Sequence, residues 1–140
     1  MAAFNKFNSF TTDLTAAKHD FSAHTFKTML TNTAPVATNT IKANITEITA
    51  GNGYTAGGTA STVTKSNASG VETLFATDVV FTASGGNINT FRYAVLYNDT
   101  QTTPAKPLVG FWDYGSSISP ASGETFTVDY DGTNGFMTVG

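Results

Sequence analysis

The chain has 140 residues and no cysteine, and charged side chains make up 12% of it, about half of the roughly 25% usual in soluble domains. A chain of this length buries a core without staples, and the lack of thiols excludes a disulfide scaffold, a thiolate zinc site and a cysteine nucleophile. Seven basic residues against ten acidic ones give a net charge of -3, with no basic patch for nucleic acid or an anionic membrane.

The N-terminal stretch MAAFNKFNSFTTDL has no basic region followed by an apolar run, so no secretory leader is expected. No stretch approaches the ~20 apolar residues of a membrane span. Phe4, Phe7, Phe10, Leu14 and Ala17 recur three or four residues apart, which predicts a short amphipathic helix within residues 1–18. Such a stripe either packs on its own domain, the simpler reading, or docks on a neighbour. In the second case Phe4, Phe7, Phe10 and Leu14 are the candidate contact with a partner.

Beyond His19 and Asp20 the pattern turns to strands. TFKTMLT, residues 25–31, alternates, with Phe26, Thr28 and Leu30 on one face and Lys27 and Met29 on the other. NTAPVATNT reads as a loop around Pro35. Residues 41–47 alternate and predict a further strand, polar enough for a sheet edge. GNGYTAGG, residues 51–58, holds four glycines but matches neither glycine-rich phosphate motif, and no helix-forming run follows it. Its glycines read as devices for positive φ, and Tyr54 as the anchor that packs under the loop. Residues 71–82 form an apolar run, FRYAVLY (91–97) a central strand, and LVGFWDY (108–114) its partner across a long turn. ETFTVDY (124–130) alternates with Phe126 and Val128 inward, and residues 136–139 close the chain as a short strand. Short strands separated by Gly, Asn and Pro turns predict one mainly β domain over residues 1–140, an antiparallel sandwich or jelly roll.

Signals for chemistry are sparse. His19 and His24 lie five apart, on different faces of a helix or strand, and nothing beyond Asp20 adds a third ligand, so no metal is expected. Asp113, Asp129 and Asp131 could pair as acid and base in a glycosidase-like site. The simpler reading has each at a strand end or capping a turn, as Asp131-Gly132 suggests. Trp112, Tyr114 and Tyr130 flank these carboxylates and are the candidate platform for a stacked sugar, with a core position for Trp112 as the simpler reading. No cofactor motif is present, and no nucleophile elbow. A compact β domain of this kind is expected to work by contact rather than catalysis.

The runs LTNTAPVATNT, ITEITAGNGYTAGG, FRYAVLYND, PLVGFWDYGSSI and GETFTVDYDGTNG together resemble a family of small virion proteins of tailed bacteriophages, from about Phe7 to the C-terminus. The resemblance implies a structural protein assembled in the host cytoplasm and found in the virion. The expected role is a decoration or cement protein on the capsid exterior, across joints between capsomers. The implied partners are the major capsid protein and further copies of itself, in a homo-oligomer such as a trimer on a symmetry axis. A tail-associated or head-surface adhesin that recognises host glycan is the alternative. The family supplies no catalytic residue to carry over.

Overall fold

A computed structural model of the chain describes residues 2–140. The chain is mainly β, and every paired strand is antiparallel. In order it forms β1 (Phe4–Lys6), α1 (Ser9–Thr15), β2 (Phe26–Thr31), a 3-10 turn (Lys42–Asn44), β3 (Thr59–Ser61), β4 (Val63–Ala68), β5 (Val71–Ala76), β6 (Val79–Thr82), β7 (Phe91–Asn98), β8 (Leu108–Ile118), β9 (Thr125–Val128) and β10 (Met137–Val139). A five-stranded sheet has the order β1-β8-β7-β2-β3. A three-stranded sheet, β10-β5-β4, and a pair, β6-β9, complete the set. The small sheets pack on one face of the large one, which makes an antiparallel β sandwich. The division into five, three and two strands carries the likeness to a jelly roll no further than that.

The large sheet is buried on both faces. Phe26, Leu30, Phe91, Ala94, Leu96 and Trp112 point toward the small sheets, where Ala76, Val79, Phe81 and Val128 meet them. Met29, Val95, Tyr97 and Leu108 point the other way and pack with Phe7 and Ile45. The alternation expected in residues 25–31 is therefore present, but both of its faces are inside. Each large apolar side chain so buried stabilises the fold by roughly 1.5–3 kcal/mol.

The N-terminal stripe is the main departure. Helix forms only over Ser9–Thr15, while Phe4–Lys6 is a strand paired with β8, from Phe4 opposite Trp112 to Lys6 opposite Gly110. The three-to-four spacing reflects a chain that crosses the edge of the large sheet. Phe4 packs against Trp112 and Phe136 on the small-sheet side. Phe7 is buried on the opposite face beside Phe111, and Phe10 returns to the first core near Phe21. Phe7 and Phe10 are 0% and 2% exposed, so they are not available as a docking stripe without unfolding this segment. Leu14 is partly buried against the same core as Phe10.

Two smaller expectations also shift. Residues 41–47 contain the 3-10 turn rather than a strand, because Asn44 Oδ1 accepts the Thr40 and Ile41 N–H groups (3.0 and 3.2 Å) and curls the chain. The apolar run at 71–82 is two strands in different sheets, parted at Thr77-Asp78, where Asp78 accepts the Tyr130 N–H (2.9 Å).

Candidate functional site

The glycine loop is a structural keystone. Gly53 and Gly58 both have positive φ (+99° and +76°), and a Cβ on either would strike a backbone carbonyl, that of Thr82 and of Thr28. These glycines let the loop lie directly on β6 and β2. Tyr54 is buried beneath it; its hydroxyl donates to Glu47 (2.7 Å) and accepts the Leu30 N–H (3.1 Å). Glu47 also accepts the Gly57 N–H and pairs with Lys42 Nζ at 2.8 Å. Tyr97 donates to the Gly57 carbonyl at 2.6 Å. Burial works against the charge on Glu47, but Lys42, Tyr54 and Gly57 together outweigh it and hold the carboxyl below its ordinary range. Burial, reinforced by Glu47, pushes the Tyr54 hydroxyl far up. The sequence showed the anchor and the glycines but not Glu47, which looks like one polar residue of an edge strand.

The two histidines meet, contrary to what their spacing suggests. Asn98, at the end of β7, is fully buried, and its Oδ1 accepts the Thr100 and Gln101 N–H groups (3.0 and 3.2 Å). That fixes the amide, so Nδ2 is the donor facing His19 Nδ1 (3.3 Å), His24 Nδ1 (2.8 Å) and the Lys18 carbonyl (3.2 Å). The two Nδ2 hydrogens are shared among these three acceptors, the contact to His24 Nδ1 being the shortest, and each Nδ1 faces the amide as an acceptor. His19 lies among Phe10, Phe21 and Phe26. Burial, aided by His24, lowers its pKa to about 4. Among the described residues, no group of three His, Asp or Glu side chains is placed to hold a metal ion.

The carboxylates near the C-terminal strands have separate duties. A register shift in the β7–β8 pairing between Phe91 and Tyr93 lets Arg92 face Asp113. The pair is bidentate, Nε to Oδ1 at 2.7 Å and Nη2 to Oδ2 at 2.9 Å. The Gly115 N–H adds a third bond to Asp113 (2.8 Å). Arg92 first, then Gly115, holds the Asp113 carboxyl below its usual range, which disqualifies it as a proton donor near neutrality. Asp131 accepts the Thr133 and Asn134 N–H groups, both at 2.8 Å, and caps a turn. Asp129 is exposed.

The three candidate aromatics divide in the same way. Trp112 is 8% exposed, edge-on to Tyr130 with ring centroids 5.0 Å apart. Tyr130 is buried, its hydroxyl 2.6 Å from Thr28 Oγ1, and burial pushes its pKa up to about 12. Neither offers a ring face to a ligand. Tyr114 is 54% exposed and packs edge-on against Phe126 at 5.4 Å. These two rings, with Arg92, Trp112 and Asp129, line a groove of about 190 Å³ between β8 and β9. Phe126 and Arg92 are the members that sequence reading missed. The alternation in ETFTVDY turns Phe126 inward, and only the packing of the β6–β9 pair on the large sheet brings it to Tyr114 of β8. Compared with known proteins, the chain matches no family model, no curated protein and no solved structure.

Proposed function

We propose that this chain is a structural protein of a tailed-bacteriophage virion, a decoration protein that binds the capsid exterior by surface contact and catalyses nothing. Its partners on this reading are the major capsid protein and other copies of itself. The observation that carries the reading is how its reactive side chains are committed. Glu47, Asp99, Asp113 and Asp131 are each held by cations or backbone N–H groups, and His19 and His24 by Asn98. The scaffold uses these groups for rigidity, which suits a protein that resists force through contacts, while Asp129 stays exposed. The resemblance in the runs from LTNTAPVATNT to GETFTVDYDGTNG supports the same reading.

The docking surface on this reading lies outside the N-terminal aromatic stripe. β4 has one hydrogen-bonded neighbour, β5, and five of its six residues are exposed. Val36 and Val80 are also more than half exposed, at 54% and 52%. The test is the copy number per purified particle, by quantitative mass spectrometry against the major capsid protein. Copies of the same order as the capsid protein support decoration. A few copies per particle move the protein to the tail, and absence from the particle refutes the proposal.

A further inference from the structure

Three depressions run into one another along β8 and β9. The groove of about 190 Å³ shares Tyr114 and Phe126 with a wider, shallow depression that extends past Pro120 and Glu124. At its other end it shares Trp112 and Asp129 with a depression of about 140 Å³ that reaches Asp131 and Phe136. The result is a track rather than a single pit, with the Tyr114–Phe126 pair as a ridge across it. We propose that this track binds a linear, uncharged glycan, with one sugar ring stacked on Tyr114.

The chemistry of the lining selects that ligand. Tyr114 is 54% exposed, and the negative quadrupole of an aromatic face attracts the polarised C–H groups on one side of a sugar ring. The face is held in place before any ligand arrives. Phe126, edge-on to Tyr114, is itself edge-on to the fully buried Phe91 with centroids 4.8 Å apart, so the ridge is anchored in the core. A rigid platform loses little freedom on binding. Polar groups flank it on fixed supports: the bidentate Arg92–Asp113 pair immobilises a guanidinium whose remaining N–H groups can donate to hydroxyls, and Asp129 can accept from them. Charge decides against an acidic sugar. Arg92 is already neutralised by Asp113, while Glu124, Asp129 and Asp131 lie along the track. A uronate or a phosphorylated sugar would meet carboxylates with, among the described residues, no unpaired basic side chain lining the track to offset them.

This inference stands apart from the capsid assignment, since a head protein and a tail protein can each carry such a track. The experiment uses the isolated full chain. ¹⁵N-labelled protein is titrated with linear gluco-, galacto- and manno-configured oligosaccharides, the matching monosaccharides and an oligouronate. The expected result is saturable shifts confined to the amides of β8 and β9 and the Trp112 indole, for at least one neutral oligosaccharide. A dissociation constant of about 1 mM is expected, tighter than for its monosaccharide. Tyr114→Ala should weaken binding about tenfold or more, and Tyr114→Trp should retain it. The thermal midpoint of both variants should stay near that of the parent, because Tyr114 is half exposed. The proposal is overturned if no neutral glycan in the panel gives saturable shifts. Equal binding of the oligouronate, or binding unchanged in Tyr114→Ala, overturns it as well.

Discussion

The β7–β8 and β4–β5 hairpins are built alike and live differently. Both are antiparallel, and β5, β7 and β8 each have strands on both sides. Yet β7 is buried at six of its eight positions, whereas β4 has no fully buried residue. β-branched and aromatic composition is richer in β7, but the difference in burial comes from position. β7 lies in the middle of a sheet covered on both faces, and β4 is the outer edge of a small one. The lesson is that stability in this chain is carried by the centre of one sheet. The edge is free to vary or to meet a partner.

The severest test of that contrast is to remove residues 1–18. β1 and the buried Phe7 and Phe10 go with them, so each face of the large sheet loses part of its cover. The truncated chain should lose cooperative unfolding, seen as a missing transition in circular dichroism. A folded truncation would show that the two-sided core is dispensable. Next in size, Leu96→Ala in β7 should cost about 3 kcal/mol, as truncations of fully buried leucine do. Thr64→Ala in β4 should stay within about 0.5 kcal/mol, as surface changes do. Equal costs by chemical denaturation would remove the distinction. Gly58→Ala should cost about 2 kcal/mol, because positive φ strains alanine and the added methyl meets the Thr28 carbonyl of β2.

Acid should loosen the other end of the sheet. His19 has a folded pKa of about 4, below its unfolded value near 6.5. The unfolded chain then binds more protons in between, so stability is complete above about pH 6.5 and falls as the pH drops toward 4. The full loss is roughly 3 kcal/mol. Between about pH 5 and 6.5 most carboxylates are still ionised, so this slope belongs to histidine. His19→Gln should flatten it in denaturation curves taken across that window. Smallest of all, Arg92→Gln at the half-exposed pair with Asp113 should leave the unfolding midpoint nearly unchanged, as exposed ion pairs commonly do. It should matter only to the glycan titration.

Much of this fold is legible in the chain itself. β2, β7, β8 and β9 lie where alternation and aromatic content place them, because period-two patterning is set residue by residue. The glycines of GNGYTAGG and the anchor Tyr54 are legible for the same local reason: turn chemistry needs no distant partner. The N-terminal stripe misleads because Phe4, Phe7 and Phe10 have helical spacing without a helical path. Their spacing is set by a crossing of the sheet edge, and β8, a hundred residues away in sequence, provides that edge. The site residues divide on the same line. Trp112 reads as core from the sequence and is core, but Tyr114 and Tyr130 look equivalent there, and only the fold buries one and turns the other to solvent.

What the amino-acid sequence determined by itself is the kind of protein: mainly β, weakly charged, thiol-free, with its turns marked by glycine and asparagine. These follow from composition and from interactions between near neighbours. Only the tertiary structure decided which aromatic rings are covered, that both histidines meet at Asn98, and that Glu47 ties the glycine loop to Lys42. Each of these depends on which strands lie side by side. Pairing brings together residues far apart in the chain, and no local pattern encodes the partner.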